Sequence, residues 1–319
     1  MATVTKTAKT ESASRARPVV IIGAGIQGCA TAFFLRQRGQ SVIVLEKDQV
    51  GRHASGVNAG GVRSLGRNIA EIPLSLAAMH WWNQIDQLLD IKDGFHKNFY
   101  VKLALDDAGA KLAASRIQQL QKGGFTHERW IDADQLHQRI PRLTREILGG
   151  VLVEGDGWAI PWKITRAFYE KAVALGAEFR MPVTVKSLDY FGDHWQVRTD
   201  SDKIEADIVV NCAGLWGREI GLMAGVNVPL FAAEHFYIVT DEIGLPSNMP
   251  VLRDPTGWIY AKEDAGKMLV GTFEPKSKPR PMHTIPDDFS FGQFSEDWEH
   301  FEPSMMNAIH RMPKLEDAG

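Results

Sequence analysis

Cysteine is almost absent. The 319 residues hold two, Cys29 and Cys212. Two cysteines make no disulfide framework, which points to a reducing, intracellular compartment. Each sits in an apolar context and reads as a small buried hydrophobe. A dominant charge is lacking too. Lys and Arg total 36 against 39 Asp and Glu, a net charge of -3. That balance argues against a nucleic-acid or anionic-membrane partner. No apolar run approaches the length of a membrane span. The ten histidines are scattered, with no H-E-x-x-H and no C-x-x-C, so no metal is expected. No G-x-S-x-G nucleophile elbow is present. Residues 1–17, MATVTKTAKTESASRAR, lack the apolar core of a secretory signal and read as a disordered tail. The expected compartment is the cytoplasm, with the mitochondrial matrix as the alternative.

What is present begins at Val19. Hydrophobic content of 44% supports a substantial core, and the first buried strand is Val19 to Ile22. Gly23, Gly25 and Gly28 follow in G-x-G-x-x-G spacing, directly before a helical run from Ile26 to Arg38 that Gly39 ends. Gly23 allows the turn off the strand, Gly25 bares backbone to a pyrophosphate, and Gly28 lets helix and sheet pack closely. Ala24, Ile26 and Gln27 complete the turn, whose helix N-terminus favours an anion. A second strand, Ser41 to Leu45, ends in Glu46, followed by Lys47. An acid there accepts both ribose hydroxyls and repels a 2′-phosphate, which disfavours NADP. The pattern predicts an α/β chain with a Rossmann-like dinucleotide-binding domain. Residues 47–67 then form a long glycine-rich loop. Such a loop favours a flavin over a nicotinamide, because a bulky planar group can lie against bare backbone. Ser55 and Asn58 are candidates for phosphate or ribityl oxygens, and Gly60 and Gly61 for close approach to the isoalloxazine.

The opening motif, Glu46 and the loop Ala54-Ser55-Gly56-Val57-Asn58-Ala59-Gly60-Gly61 resemble the D-amino-acid-oxidase-like family of FAD oxidoreductases. That family includes glycine and sarcosine oxidases, D-amino acid dehydrogenases, and dimethylglycine and sarcosine dehydrogenases. The resemblance implies FAD as cofactor and oxidation of the C–N bond of a small amine or amino acid, with oxygen or an electron carrier as acceptor. It also implies that Val183 presents backbone to the adenine, and that Cys212, Ala213, Gly214 and Trp216 pass beneath the cofactor. His53 sits in the same loop but does not align with the family's flavin-linked histidine; Asn58 does, which implies non-covalent FAD.

Further along, residues 68–90 carry helix-period apolar residues, Asn98 to Leu105 alternates as a strand, and Ala108 to Gln121 reads as a helix. A short helix from Asp132 to Arg139 stops before Pro141. A strand within 147–162 precedes a helix from Trp162 to Leu175. Glu178 to Val185, Trp195 to Thr199 and a buried Asp207 to Cys212 read as strands. Glu234 to Asp241 alternates, a hairpin turns at Asp264-Ala265-Gly266, and Gln293 to Arg311 is helical. Residues 18–95 and 146–222 are assigned to the FAD-binding domain. Residues 96–145 and 223–311 go to an interleaved substrate domain on a mainly antiparallel sheet, which in the family roofs the flavin. The resemblance covers residues 18–319, and the family's C-terminal closing segment is not found in it. The chain therefore reads as truncated, which keeps a non-catalytic nucleotide-binding fragment open as an alternative. An NAD-dependent dehydrogenase, which shares only the first motif, is the other.

For the reaction that the resemblance implies, Arg253 and Arg63 are the candidates to hold a substrate carboxylate. Tyr237, Tyr260 and Trp258 on the roof strands are candidates to hold a methylated amine, and His235 shares the face of Tyr237. The plainer alternatives are that Arg253 pairs with Asp254 and that Tyr260 and Trp258 are core aromatics.

Overall fold

The computed structural model describes residues 16–318 apart from 141, 287, 291 and 293. Most of the expected tail therefore lies outside the described residues, as do Pro141 and Gln293. Arg17, the last residue of that tail, pairs with Glu205 at 3.1 Å. The chain forms two compact units. The first segment of the smaller ends at Val50, and its second is Tyr169–Pro229. The larger holds Gly51–Phe168 and resumes at Leu230.

In the smaller unit, four parallel strands lie in the order Ile208–Asn211, Val19–Ile22, Val42–Leu45, Glu178–Arg180. The two central strands are buried at every position, as near-continuous Val, Ile and Leu runs require. Val20, Ile22, Ile43 and Leu45 pack on one side against a meander of Val185–Tyr190, Trp195–Thr199 and Lys203–Ala206. Each such side chain contributes about 1.5–3 kcal/mol by leaving water. Helix Ile26–Gln37 buries Gly28, Cys29, Ala32 and Phe33. Two expectations change here. Glu178 to Val185 is two strands with a turn between them, because Met181-Pro182 breaks the run. Ile208–Asn211 is an edge strand with Ile208 and Asn211 exposed, and not the buried strand expected.

The larger unit is organised by one sheet. Its order runs Tyr237–Val239, Lys267–Thr272, Ile259–Asp264, Val251–Asp254, Phe95–Ala104, Gly149–Ala159, Gly61–Val62, with Arg129–Asp132 also on Gly149–Ala159. Among the described residues of this sheet, only Val251–Asp254 and Phe95–Ala104 run parallel. Strand alternation divides the sheet into two faces. Val101, Leu103, Leu252, Ala261, Met268 and Val270 share one core with Ala308 and Met312 from the C-terminal helix. Tyr100, Val151, Val153 and Val251 cluster with Leu65 on the opposite face. Residues 51–95 and 146–168, expected in the nucleotide half, belong to this unit because Gly149–Ala159 pairs with both Phe95–Ala104 and Gly61–Val62. Residues 223–229 fall in the smaller unit.

Several boundaries move. The long helix expected over 68–90 is a 3-10 turn Ile69–Glu71 and two helices, Ile72–Trp82 and Ile85–Leu89. The loop 47–67 contains a short helix, Ala54–Val57, and an edge strand. The expected strand at 234–241 is regular only over Tyr237–Val239, and the last long helix begins at Trp298, where Asp297 caps it. The hairpin holds as expected: Ala265 and Gly266 both adopt positive φ, which a two-residue turn requires. No helix among the described residues is long and apolar enough to cross a membrane.

Candidate functional site

The smaller unit builds a cradle from backbone. Gly23 has φ of +107°, open to glycine without strain. A Cβ on Gly23 falls 2.3 Å from the Cys212 carbonyl oxygen, and one on Gly28 falls 1.8 Å from that of Gly23. Only bare backbone fits this turn. Gly25 caps helix Ile26–Gln37 with no side-chain acceptor, an arrangement in which a helix start takes an anion. Glu46 is 7% exposed. Its Oε2 accepts the Ala24 amide at 2.8 Å and its Oε1 the Asp48 amide at 2.9 Å. Each oxygen keeps a second acceptor position, which suits a ribose diol. The Glu46 carbonyl accepts the Val183 amide at 2.8 Å, so Val183 lies beside it. Cys212 donates its amide to Ile22 O at 2.9 Å and leads into the Gly214–Trp216 turn, where the Trp216 ring lies under Lys47 Nζ at 3.2 Å. The strand-end residues named from sequence in this unit thus converge on one edge of one sheet. Burial pushes the Cys29 thiol up to about 12 and raises that of Cys212, so neither is a thiolate at neutral pH.

The larger unit carries side-chain chemistry on one sheet face. Register places Tyr237, Gly271, Tyr260, Arg253 and Lys102 in a row across five strands. A Cβ on Gly271 falls 2.1 Å from the Tyr260 ring, so Gly271 makes room for that ring. Tyr260 receives His235 Nε2 at 3.2 Å from its hydroxyl, and its ring and that of His235 both neighbour Phe273. Arg253 lies over the Phe273 ring at 5.1 Å. It does not pair with Asp254, which accepts from Arg311 at 2.8 Å and from the Thr256 and Gly257 amides. Burial, then Arg253 and Arg67, push Arg63 down to about 10. Burial and Arg67 lower Arg253 as well. Tyr100, beside this group, is raised to about 12 by burial. Burial also raises Tyr260 and lowers His235, which favours a neutral imidazole.

Other candidates in this unit are placed differently from the sequence reading. Asn58 spends its side chain inside its own loop, donating to Ala54 O at 2.9 Å and accepting from the Gly60 amide at 2.8 Å. Cβ atoms on Gly60 and Gly61 fall 2.0 Å from Ala159 O and 2.2 Å from the Tyr100 hydroxyl, so both glycines are required by the protein's own packing. His53 caps the short helix that holds Ala54 and Ser55, and the Ser55 carbonyl accepts from Thr165. Ala59 follows Asn58 in the turn that Asn58 closes. The Tyr237 hydroxyl donates to Val57 O at 3.1 Å, tying this loop to the sheet. Trp258 is not on a strand; it sits at positive φ in the preceding turn. Sequence reading missed Lys102, Tyr100, Arg67 and Phe273. Lys102 alone left a trace, as a charge within an otherwise apolar strand.

A family model for FAD dependent oxidoreductases (DAO) matches residues 18–319. The chain belongs to the FAD-dependent oxidoreductase family. That membership selects flavin over nicotinamide. 4-Methylaminobutanoate oxidase (formaldehyde-forming) of Paenarthrobacter nicotinovorans is 31% identical over 312 residues, covering 94% of this chain and 37% of that protein. Human mitochondrial sarcosine dehydrogenase is 29% identical over 317 residues, covering 94% and 33%. This family member thus spans about a third of the curated relatives it matches. The solved L-proline dehydrogenase of P.horikoshii superposes with a TM-score of 0.84 at 22% identity, over 95% of this chain and 79% of that one, a likeness of fold. The cradle fits the family's cofactor: a turn that no Cβ can enter suits a diphosphate, and the buried Glu46 suits the ribose.

Proposed function

We propose that the protein oxidises the C–N bond of a small amine bearing a carboxylate, with FAD held non-covalently. Support comes from one observation above the rest. Arg253 is partly buried over Phe273 and close to Tyr260, Arg63 is partly buried within its electrostatic reach, and no protein carboxylate lies at ion-pair distance from either guanidinium among the described residues. Buried cations without anions are costly, and a substrate carboxylate satisfies them in a planar, two-pronged way. Bound FAD supplies the acceptor for the hydride equivalent. The chain's own part is to bind and orient. Arg253 and Arg63 fix the carboxylate and so the direction of the adjacent C–N bond. Tyr260 and Phe273 supply aromatic faces to the amine. His235 meets the Tyr260 hydroxyl through Nε2, and burial favours its neutral form, which adds no positive charge that would repel an amine. Relatives named for 4-methylaminobutanoate and sarcosine support N-methyl amino acids as the candidates to try first.

Two measurements test this reading. Without oxygen, sarcosine, dimethylglycine, glycine, D-alanine and 4-methylaminobutanoate are added in turn and the yellow flavin band is followed. Bleaching by at least one N-methyl amino acid is expected; a band unmoved by all five sinks the reading. Acid precipitation should release the flavin into the supernatant, and colour retained in the pellet contradicts non-covalent binding.

A further inference from the structure

The sheet face of the larger unit holds more partly buried positive charge than one carboxylate needs. Arg253 and Lys102 are register partners on adjacent parallel strands, about 4.8 Å apart in backbone. Being partners, they project from the same face. Arg63 acts electrostatically on both, and Arg67 on Arg63 and Arg253. All four are partly buried, and among the described residues none lies at ion-pair distance from a carboxylate.

Two acids neighbour the group, and both are spoken for. Asp156 accepts the Ser64 and Leu65 amides and the Ser64 hydroxyl, each at 2.9 Å. Glu128 is held by Arg116 at 2.6 and 2.7 Å and by the Gly66 amide at 2.8 Å. Arg116 and Glu128 cancel. What remains is four cations against one carboxylate already saturated by donors. Lys102 is lowered first by burial, then by Arg116 and Arg253, so it is a cation held in like-charged company. Such an arrangement persists where an anion completes it.

We propose, building on the carboxylate-binding reading above, that this face accepts secondary amines carrying two carboxylates, the first at Arg253 and Arg63 and the second at Lys102. Lys102 is then a specificity-determining residue. The class is that of iminodiacetate and N-methylaspartate.

The test separates this proposal from the reading it rests on. Methoxyacetate and diglycolate are ethers shaped like sarcosine and iminodiacetate, with no amine to oxidise. Each is titrated calorimetrically into the FAD-loaded protein. Diglycolate should bind roughly tenfold or more tighter than methoxyacetate, the scale of one added charge-assisted contact. Lys102→Met should bring diglycolate down to the methoxyacetate level and leave methoxyacetate unchanged, and Lys102→Arg should restore the preference. In the unaltered protein the preference should shrink with added salt, a readout that stands even where a variant does not fold. Equal affinity for the two ethers, with methoxyacetate binding lost in Arg253→Met, overturns the second carboxylate and leaves the first standing. A preference that survives Lys102→Met or ignores salt also overturns it. Failure of both ethers to bind sinks the two readings together.

Discussion

The cradle of the smaller unit and the cation face of the larger solve recognition in opposite ways. The cradle is made of backbone: a turn at Gly23, a helix start at Gly25 and amides that converge on Glu46. Its residues sit close along the chain, and its geometry is fixed by what cannot fit. The cation face is made of side chains, Arg63, Lys102, Arg253, Tyr260 and His235, brought together from separate strands and loops by register. Its geometry is fixed by what packs beneath it. The lesson is that steric exclusion makes a robust, generic site, whereas a side-chain constellation on a sheet face can be retuned without disturbing the fold.

The sharpest break comes at Gly28→Val. A Cβ 1.8 Å from the Gly23 carbonyl leaves no rotamer to choose. The cost should be about 3 kcal/mol or more, the upper range of overpacking. Flavin should be absent after gel filtration, and the melting temperature should fall. A folded, yellow variant ends the claim that exclusion shapes the cradle. Next is Glu46→Gln. It keeps the shape but turns an NH2 group toward the Ala24 or Asp48 amide, which now meet carboxylate oxygens. FAD affinity should drop by about 10- to 100-fold, as for hydrogen bonds to charged groups, read by fluorescence titration.

The larger unit should respond differently. Arg253→Met keeps the aliphatic stem near Phe273 and removes the charge. The KM for an N-methyl amino acid should rise about 30-fold, with kcat and FAD affinity little changed, the scale of one charge-assisted contact. Loss of FAD instead would erase the distinction between the two regions. Tyr260→Phe is gentler. It removes the hydroxyl 3.2 Å from His235 Nε2 at a stability cost of about 1 kcal/mol. Chemical denaturation against the unaltered protein reads it.

The smallest effect is on pH dependence. Burial lowers His96, His127 and His235 from their ordinary value of 6.5. Below 6.5 the unfolded chain binds protons that the folded chain does not, so stability falls as pH drops through 6.5 toward the folded values. Above 6.5 these groups contribute no slope. A thermal-melt series from pH 7.5 to about 5.5 should show the fall, and His127→Gln should flatten part of it. An unchanged slope in that variant removes His127 from the account.

How much of this was legible in the chain follows from where the information lies. The dinucleotide turn was legible because glycine spacing, a buried strand and a following acid are local and each has one physical reason. The aromatic row was legible in part: alternation gave Tyr260 its strand, but the strand that carries Arg253 was not read, and neither was their common row. The loop 54–61 was half read. Its glycines are needed, but against Ala159 and Tyr100, residues far along the chain. Breaks within 68–90 and at Met181-Pro182 were missed because periodicity continued across them or an apolar run hid them.

By itself the sequence determined a Rossmann-like half, its glycine turn and the acid that ends the second strand, because these depend on backbone sterics within about 30 residues. Tertiary structure alone decided that Lys102 stands next to Arg253, that Asp254 belongs to Arg311, and that residues 51–95 join the larger unit. Strand pairing sets those neighbours, and pairing between distant strands is a balance over the whole sheet that no local pattern encodes.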